Sequence, residues 1–326
     1  MQHDRERGFP FLRTILFLFF TLVILLGGAF WLGSRLAGRR IVTEPEALAA
    51  PVEPDTRPAT DTVADPTGPI PQPESPKKIS ETAEKPQFPP LTEERRQNLS
   101  GSKVGWGQGV EVNEKNQPTG ALMGQEKYGD LGAWFLFPTE EKTVFLTFDL
   151  GYENGHTAAI LDALKEKGVT GTFFITMDYA KSAPELVRRI IDEGHILGNH
   201  TVHHPSMPDC DAEKATAEVM ELHDYVKEQF GYEMSLFRFP MGEFSERSLV
   251  LLRELGYTSV FWSYAYVDWN VDDQPDVETS LQKLTGAAHP GAIYLQHTVS
   301  ATNAALMGDL IDALRAKGYA VGVLPH

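Results

Sequence analysis

The chain has 326 residues, of which 42% are hydrophobic, so it can bury a sizeable core in one large domain or two small ones. Its formal net charge of −16 argues against nucleic acid as a partner, because such a surface would repel phosphates. The single cysteine, Cys210, excludes an intramolecular disulfide and leaves the redox compartment open.

The first predicted element is a membrane-spanning helix over residues 14–34, inside an N-terminal segment of residues 1–42. This stretch has no charged residue and is long enough to cross a bilayer. Arginines flank it equally on both sides, so charge does not set the orientation. A cleaved signal peptide is the alternative, but its apolar region would be unusually long. We expect an uncleaved single-pass anchor, a cytoplasmic N-terminal stub and the folded part on the extracytoplasmic side.

Residues 43–98 form the second zone, in which proline recurs among Glu, Asp, Thr and Lys. Such a segment has almost nothing to bury, which predicts an extended, disordered linker. The folded domain is expected over residues 99–326, with its core at 143–326. Trp106 lies in an irregular extension before the core, where it is either a packing anchor or part of a sugar groove.

From residue 143 onward, short apolar runs alternate with amphipathic stretches. Seven strands are predicted: 143–149, 171–176, 195–199, 236–240, 258–262, 292–296 and 319–323. Helices are predicted between them: 155–167, 184–193, 212–230, 245–255, 277–288 and 303–317. Alternating strands and helices predict a parallel sheet of the α/β class. Seven such units favour a (β/α) barrel, in which active groups sit at the C-terminal ends of the strands.

Polar side chains follow five of these strands: Asp149, His200 with His204, Arg238, Asp268 and His297. The two imidazoles, four residues apart, would meet on one face if the segment after the strand is helical. That pairing suits a divalent metal with an open position for water. Each residue also has an ordinary explanation, such as a helix cap, a surface ion pair or a core histidine. Their shared placement at strand ends favours a common site.

These segments resemble the polysaccharide deacetylase family, also called NodB-homology or carbohydrate esterase family 4. The family motifs appear here, in the family's order, as TFDLG, HTVHH, RFPMG, DW and LQH. Within the family, the chain is most similar to the delta-lactam-biosynthetic de-N-acetylases of spore-forming bacteria. The similarity lies in the segments FDLGYENG, EGHILGNHTVHHP and HPGAIYLQHTVS. Members of that group act on N-acetylmuramic acid in peptidoglycan. The resemblance implies a NodB-type distorted barrel over residues 143–326.

The resemblance also implies metal-assisted hydrolysis of an acetamide. His200 and His204 would hold a divalent cation, zinc or another transition metal, which polarises the carbonyl and acidifies water. Asp149 would take the proton from the attacking water as general base. Arg238 would orient Asp149 through a charge-assisted hydrogen bond.

The remaining implied roles concern the leaving group and the substrate. His297 would donate a proton to the departing amine, while Asp268 holds the imidazole and raises its pKa. Four residues are expected to contact the substrate: Gly151, Tyr152, Trp269 and Leu295. Of these, Trp269 and Leu295 would form the apolar slot for the acetyl methyl group.

One position departs from the family pattern. The second aspartate of TFDDG is a metal ligand in the family, and Leu150 occupies that position here. A site with two imidazoles and water should bind metal more weakly than one with a carboxylate ligand. Glu153, Asn154 or Asp209 are candidates to replace the ligand, although none matches a motif.

Three functions remain open at this point. The leading prediction is de-N-acetylation of N-acetylmuramic acid in peptidoglycan strands, toward muramic δ-lactam in spore cortex. The second keeps the reaction but acts on N-acetylglucosamine in wall or other polysaccharides. The third is a catalytically silent glycan-binding domain, which the leucine at position 150 would allow.

Overall fold

The computed structural model describes residues 87–326. The predicted anchor at residues 14–34 and residues 43–86 of the predicted linker lie outside the described residues. None of the helices within 87–326 combines the length and apolar character that crossing a membrane requires.

The linker prediction is wrong for residues 87–98, which are ordered against the folded body. This segment contains α1 (Glu93–Gln97). Phe88 and Leu91 pack against buried hydrophobic clusters, and Arg95 forms an ion pair with Glu246 at 3.2 Å. Arg95 also pairs with Asp130, and Arg96 pairs with Glu254. A few apolar side chains and these ion pairs hold the short segment on the body, and a proline-rich composition gives no sign of such contacts.

The strands, in chain order, are β1 (Val104–Gly105), β2 (Ala133–Trp134), β3 (Thr143–Leu150), β4 (Thr172–Ile175), β5 (Ile196–Asn199), β6 (Leu236–Phe237), β7 (Glu243–Phe244), β8 (Thr258–Val260), β9 (Tyr264–Ala265), β10 (Ala292–His297) and β11 (Ala320–Val321). The helices after α1 are α2 (Thr119–Tyr128), α3 (Thr157–Lys167), α4 (Met177–Ser182), α5 (Pro184–Asp192), α6 (Ala212–Phe230), α7 (Glu246–Glu254), α8 (Val277–Gly286) and α9 (Ala301–Ala316). All seven predicted strands are present. The sheet strands β2 and β9 were missed because each has only two residues, too few for a visible alternation.

The main sheet has nine strands in the order β2-β8-β6-β5-β4-β3-β10-β9, with β11 beside the start of β3. Every pairing in it is parallel, which confirms the predicted α/β class. The distorted barrel takes the form of a curled, open sheet, because β2 and β9 do not pair with each other.

A single chain segment crosses the gap between the two ends of this sheet. The amide of Phe261 donates to the carbonyl of Trp134 at 2.7 Å, and the amide of Ser263 donates to the carbonyl of Ile293 at 2.9 Å. This segment, residues 261–263, connects β8 to β9 and is not itself part of a strand. The barrel is therefore interrupted at this seam.

The N-terminal extension packs on the body through β1, which pairs antiparallel with β7. Trp106 follows β1, and its indole nitrogen donates to the carbonyl of Trp262 at 3.0 Å. Its ring packs edge-on against Phe135 and Phe261. These contacts favour the packing-anchor interpretation of Trp106.

Strand β3 separates its side chains between two environments, since successive residues of a strand point to opposite faces. Val144, Leu146 and Leu150 belong to the large cluster that the helices share. Phe145 belongs to the smaller cluster inside the curl, with Phe174 and six other residues. Residues 147 and 149 continue that inner face toward the C-terminal edge of the sheet.

Gly198 tests how tightly the inner face is packed. A Cβ at this position would lie 2.4 Å from Cδ1 of Phe174, a buried ring that cannot move outward. We expect Gly198→Ala to lower the free energy of unfolding by about 1–3 kcal/mol through overpacking. Urea denaturation measures this. Gly105→Ala is the matched control, because that strand glycine has no atom within 4 Å of its Cβ position; equal effects would contradict the packing argument.

Candidate active site

The predicted polar residues converge at the C-terminal edge of the sheet. Asp149 on β3 and His297 on β10 are direct register partners. His200 follows β5 at once, Arg238 follows β6 at once, and Asp268 lies three residues beyond β9. Parallel strands place all these ends at one edge, so residues far apart in sequence become neighbours.

Arg238 is the buried centre of this site, with no exposed surface. Its Nη1 donates to Oδ1 of Asp149 at 2.9 Å, and its Nη2 donates to Oγ1 of Thr147 at 2.8 Å. Its Nε donates to the carbonyl of Val260 at 3.0 Å. The guanidinium also lies 4.2 Å from the ring centroid of Phe174. Each of the three guanidinium nitrogens donates a hydrogen bond, and one face of the plane packs against Phe174. The position of the group is therefore fixed.

Asp149 is ionised in this setting. Burial alone would raise the pKa of its carboxyl group, but the charge of Arg238, with a smaller contribution from His297, lowers the pKa below its usual value. A buried carboxylate with one oxygen bonded to arginine keeps its other oxygen as a proton acceptor.

His200 is held as a neutral imidazole with a defined tautomer. Its Nδ1 lies 2.8 Å from the carbonyl oxygen of Arg238, which can only accept, so Nδ1 carries the proton. Burial lowers the pKa of His200 to about 4. The unprotonated Nε2 therefore faces Oδ2 of Asp149 at 3.5 Å. Two acceptor atoms this close, without a proton between them, form an environment that favours a cation.

His204 lies beside His200, with ring centroids 4.7 Å apart. Burial lowers its pKa as well, so both imidazoles are neutral at pH 7 and available as metal ligands. The two rings meet as predicted, but not through the helical geometry that the spacing argument assumed. Thr201 and His204 have φ values of 74° and 56°, in the left-handed region, so the segment is a tight loop.

Glu218 on α6 holds that loop, although the sequence offered no signal for it. It is buried, and its two carboxylate oxygens contact the amide and the Nδ1 of His203, each at 2.8 Å. His203 is thereby directed away from the site, with 75% of its side chain exposed. The backbone strain at Thr201 and His204 persists because these contacts fix the loop between them.

His297 and Asp268 form the opposite side of the site. The Nδ1 of His297 lies 2.7 Å from Oδ1 of Asp268, and the amide of His297 donates to Oδ2 at 2.8 Å. Burial would lower the pKa of His297, but the hydrogen bond and charge of Asp268, with the charge of Asp149, raise it overall. His297 is thus a proton donor near neutral pH, with Nε2 as its free donor atom.

Leu150 is fully buried in the helix-facing cluster and contributes nothing to the site. The three residues considered as replacement ligands have other partners. Glu153 accepts from Thr157 at 2.5 Å and from Tyr179 at 3.1 Å. Asn154 donates to the carbonyl of Val299 at 3.0 Å, and Asp209 pairs with Lys103.

Within residues 87–326, no group of three or more His, Cys, Asp or Glu side chains is arranged to hold a metal ion. The protein donors that fit a cation are therefore the two neutral imidazoles beside Asp149. This donor set fits a divalent transition metal whose remaining positions are open to water.

The predicted substrate-contacting residues border this site at different depths. The Trp269 ring lies 5.6 Å from the His297 ring and is 52% exposed. Tyr152 is 48% exposed, and Gly151 has open space around its Cα. Leu295 is only 6% exposed and lies on the same strand face as His297, two residues deeper. It can form the floor of an apolar slot, while Trp269 forms an exposed wall.

Comparisons with known proteins agree with this geometry. A sequence model described as polysaccharide deacetylase matches residues 137–260. The peptidoglycan-N-acetylmuramic acid deacetylase PdaA of Bacillus subtilis is 42% identical over 219 residues, which cover 66% of this chain and 82% of PdaA. Its solved structure, described as a family 4 carbohydrate esterase, aligns with a TM-score of 0.65 over 68% of this chain and 95% of that chain.

Two other relatives bear on the alternatives. A peptidoglycan-N-acetylglucosamine deacetylase of Bacillus cereus is 30% identical over 62% of this chain and 78% of its own length. A family 4 carbohydrate esterase pseudoenzyme of Bacillus anthracis, 25% identical, aligns with a TM-score of 0.53 over 56% of this chain and 63% of that chain.

The buried ion pair gives a prediction that concerns stability alone. Arg238→Met would leave the Asp149 carboxylate buried without its partner, so we expect the free energy of unfolding to fall by about 3–5 kcal/mol. Urea denaturation at pH 7 measures the change. The double variant Arg238→Met with Asp149→Asn should recover part of the loss, because no unpaired charge remains. The prediction would be contradicted if the double variant lost as much free energy of unfolding as the two single variants lose together.

Proposed function

The chain belongs to the polysaccharide deacetylase family, and from this premise we propose that it removes the acetyl group from N-acetylmuramic acid in peptidoglycan strands. It is a hydrolase of non-peptide carbon–nitrogen bonds, as its family relatives are. The proposed substrate is supported by the 42% identity to a protein named as a peptidoglycan-N-acetylmuramic acid deacetylase.

One observation carries the proposed chemistry: a carboxylate held by an arginine and an imidazole held by a carboxylate lie side by side on adjacent strands. Asp149 has a lowered pKa and His297 a raised one, and the two residues are register partners. A carboxylate ready to accept a proton and an imidazolium ready to donate one are what amide hydrolysis needs.

The reaction follows from these two groups. Asp149, held by Arg238, accepts a proton from water as the water oxygen attacks the acetamide carbonyl carbon. His297 then donates the proton on Nε2 to the amide nitrogen, so that the carbon–nitrogen bond breaks with the electron pair on nitrogen. The products are acetate and a free amine on the sugar.

A divalent cation held by His200 and His204 would polarise the acetamide carbonyl and lower the pKa of the attacking water. Because Leu150 replaces a carboxylate ligand, we expect half-maximal activity at a higher free metal concentration than in relatives with a complete Asp-His-His set.

Two further parts of the proposal concern product and place. On muramic acid without a stem peptide, the freed amine lies near the lactyl carboxyl group, and closure between them would give the δ-lactam of spore cortex. Since peptidoglycan lies outside the cytoplasmic membrane, the domain would act on the extracytoplasmic side. The apolar stretch at residues 14–34 supports a single-pass anchor.

The substrate is tested with full-length protein in detergent and peptidoglycan with or without its stem peptides. Several divalent cations, or a chelator, are added, and mass spectrometry of the digested glycan scores acetyl loss. We expect acetyl loss from peptide-free muramic acid, dependent on added metal and absent in Asp149→Asn.

Each other outcome identifies a different function. Acetyl loss from N-acetylglucosamine instead would show that this protein acts on the sugar named for the Bacillus cereus relative. If folded wild-type protein releases no more acetyl from either sugar than folded Asp149→Asn does, a glycan-binding pseudoenzyme would be favoured.

The raised pKa of His297 predicts a pH effect. His297 must be protonated to donate, so activity falls as pH rises through its pKa. In Asp268→Asn the partner charge is lost, the pKa of His297 falls, and the alkaline limb of kcat/KM should move to lower pH. Asp272→Asn, which alters an exposed carboxylate of the same loop, is the control and should leave the limb in place. If the alkaline limb of kcat/KM stayed at the same pH in Asp268→Asn, His297 would be ruled out as the proton donor.

A further inference from the structure

Asn303 lies behind the proton donor, and no motif marked it. We propose that Asn303 is a positioning residue that holds Asp268 and His297 in the arrangement that protonates the leaving amine. This proposal rests on the proposed function, because it concerns how the acid of that reaction is kept in place.

Asn303 is fully buried in the first turn of α9. Its Nδ2 donates to Oδ2 of Asp268 at 2.6 Å and to the carbonyl of His297 at 3.0 Å. Its backbone amide donates to the hydroxyl of Ser300, the N-cap of the helix, at 3.1 Å. The residue therefore ties together the helix, the end of β10 and the loop that carries the aspartate.

The orientation of the Asn303 amide group is determined by its neighbours. Its Oδ1 accepts from the hydroxyl of Tyr266 and from Nε2 of Gln296, the latter at 3.1 Å. A flipped amide would turn Oδ1 toward a carboxylate and a carbonyl, which can only accept. All the hydrogen-bonding capacity of the side chain is thus used, in one orientation.

Asp268 needs this support because it lies on a loop and not on a strand. Its carboxylate is fully buried, and among residues 87–326 its other hydrogen-bond donors both belong to His297. Without Asn303, those two bonds alone would orient that carboxylate, and both groups could rotate together. A displacement of about 1 Å in a catalytic group can reduce a rate by about 100-fold.

The test separates proton donation from general damage by changing the leaving group. An acetylated amine must be protonated to leave, whereas 4-nitrophenolate leaves from 4-nitrophenyl acetate without a proton. For full-length Asn303→Ala, we expect kcat on the peptidoglycan amide to fall about 10- to 100-fold with KM unchanged, and ester hydrolysis to change less than about 3-fold.

Thr302→Ala is the matched control. Thr302 occupies the same helical turn and is also buried, but its hydroxyl donates to the carbonyl of Pro275 at 2.6 Å and contacts neither Asp268 nor His297. Its effect on the two substrates should be equal. Should Asn303→Ala not fold, Asn303→Leu approximately keeps the volume, places no second carboxylate beside Asp268 and loses the donated N–H, and the same selective loss is expected.

A second measurement needs no turnover. The Nδ1 proton of His297, bonded to Asp268, should give a downfield NMR resonance that is lost in Asn303→Ala and retained in Thr302→Ala. An unchanged resonance, or equal loss on the amide and the ester, would overturn the positioning role. If wild-type protein hydrolyses neither substrate, the proposed function fails, and the resonance alone decides the role of Asn303.

Discussion

The buried pair of Arg238 and Asp149 is the interaction on which the rest of the site depends. An unpaired charge in this environment would be strongly destabilising, so the surrounding chain must satisfy each donor of the guanidinium. The hydroxyl of Thr147 and the carbonyl of Val260 do so. The carbonyl of Arg238 in turn fixes the tautomer of His200. One residue thereby positions the Asp149 carboxylate, the His200 imidazole and the ends of two strands.

The site divides into two halves with separate supports. The half with Asp149 depends on a full positive charge, which keeps the carboxylate ionised despite its burial. The half with His297 depends on a negative charge, which raises the pKa of the imidazole despite its burial. Because the two supports come from different elements, each group keeps its own protonation state within one small site. Acid and base can then act in one reaction near neutral pH.

The loop that carries the His200 and His204 imidazoles obtains its shape from contacts outside the site. The left-handed backbone at Thr201 and His204 is unfavourable by itself, and Glu218 compensates by binding the amide and ring of His203. Leu150, at the position of a family ligand, stabilises the contact between sheet and helices instead. Under the proposed function, a cation would therefore depend on the two preorganised imidazoles, without a carboxylate ligand at position 150.

The sequence by itself determined the parallel α/β class and the identity of the central polar residues. Alternating apolar runs and helices permit few other arrangements, and Asp149, Arg238 and His297 lie at strand ends, where backbone geometry brings them together. Tertiary structure decided what depends on long-range contacts. These include the open seam of the sheet, the ordering of residues 87–98 and the left-handed loop that carries His204. Glu218 and Asn303 act on partners 15 and 35 residues away, and no local pattern encodes such contacts because only folding makes them neighbours.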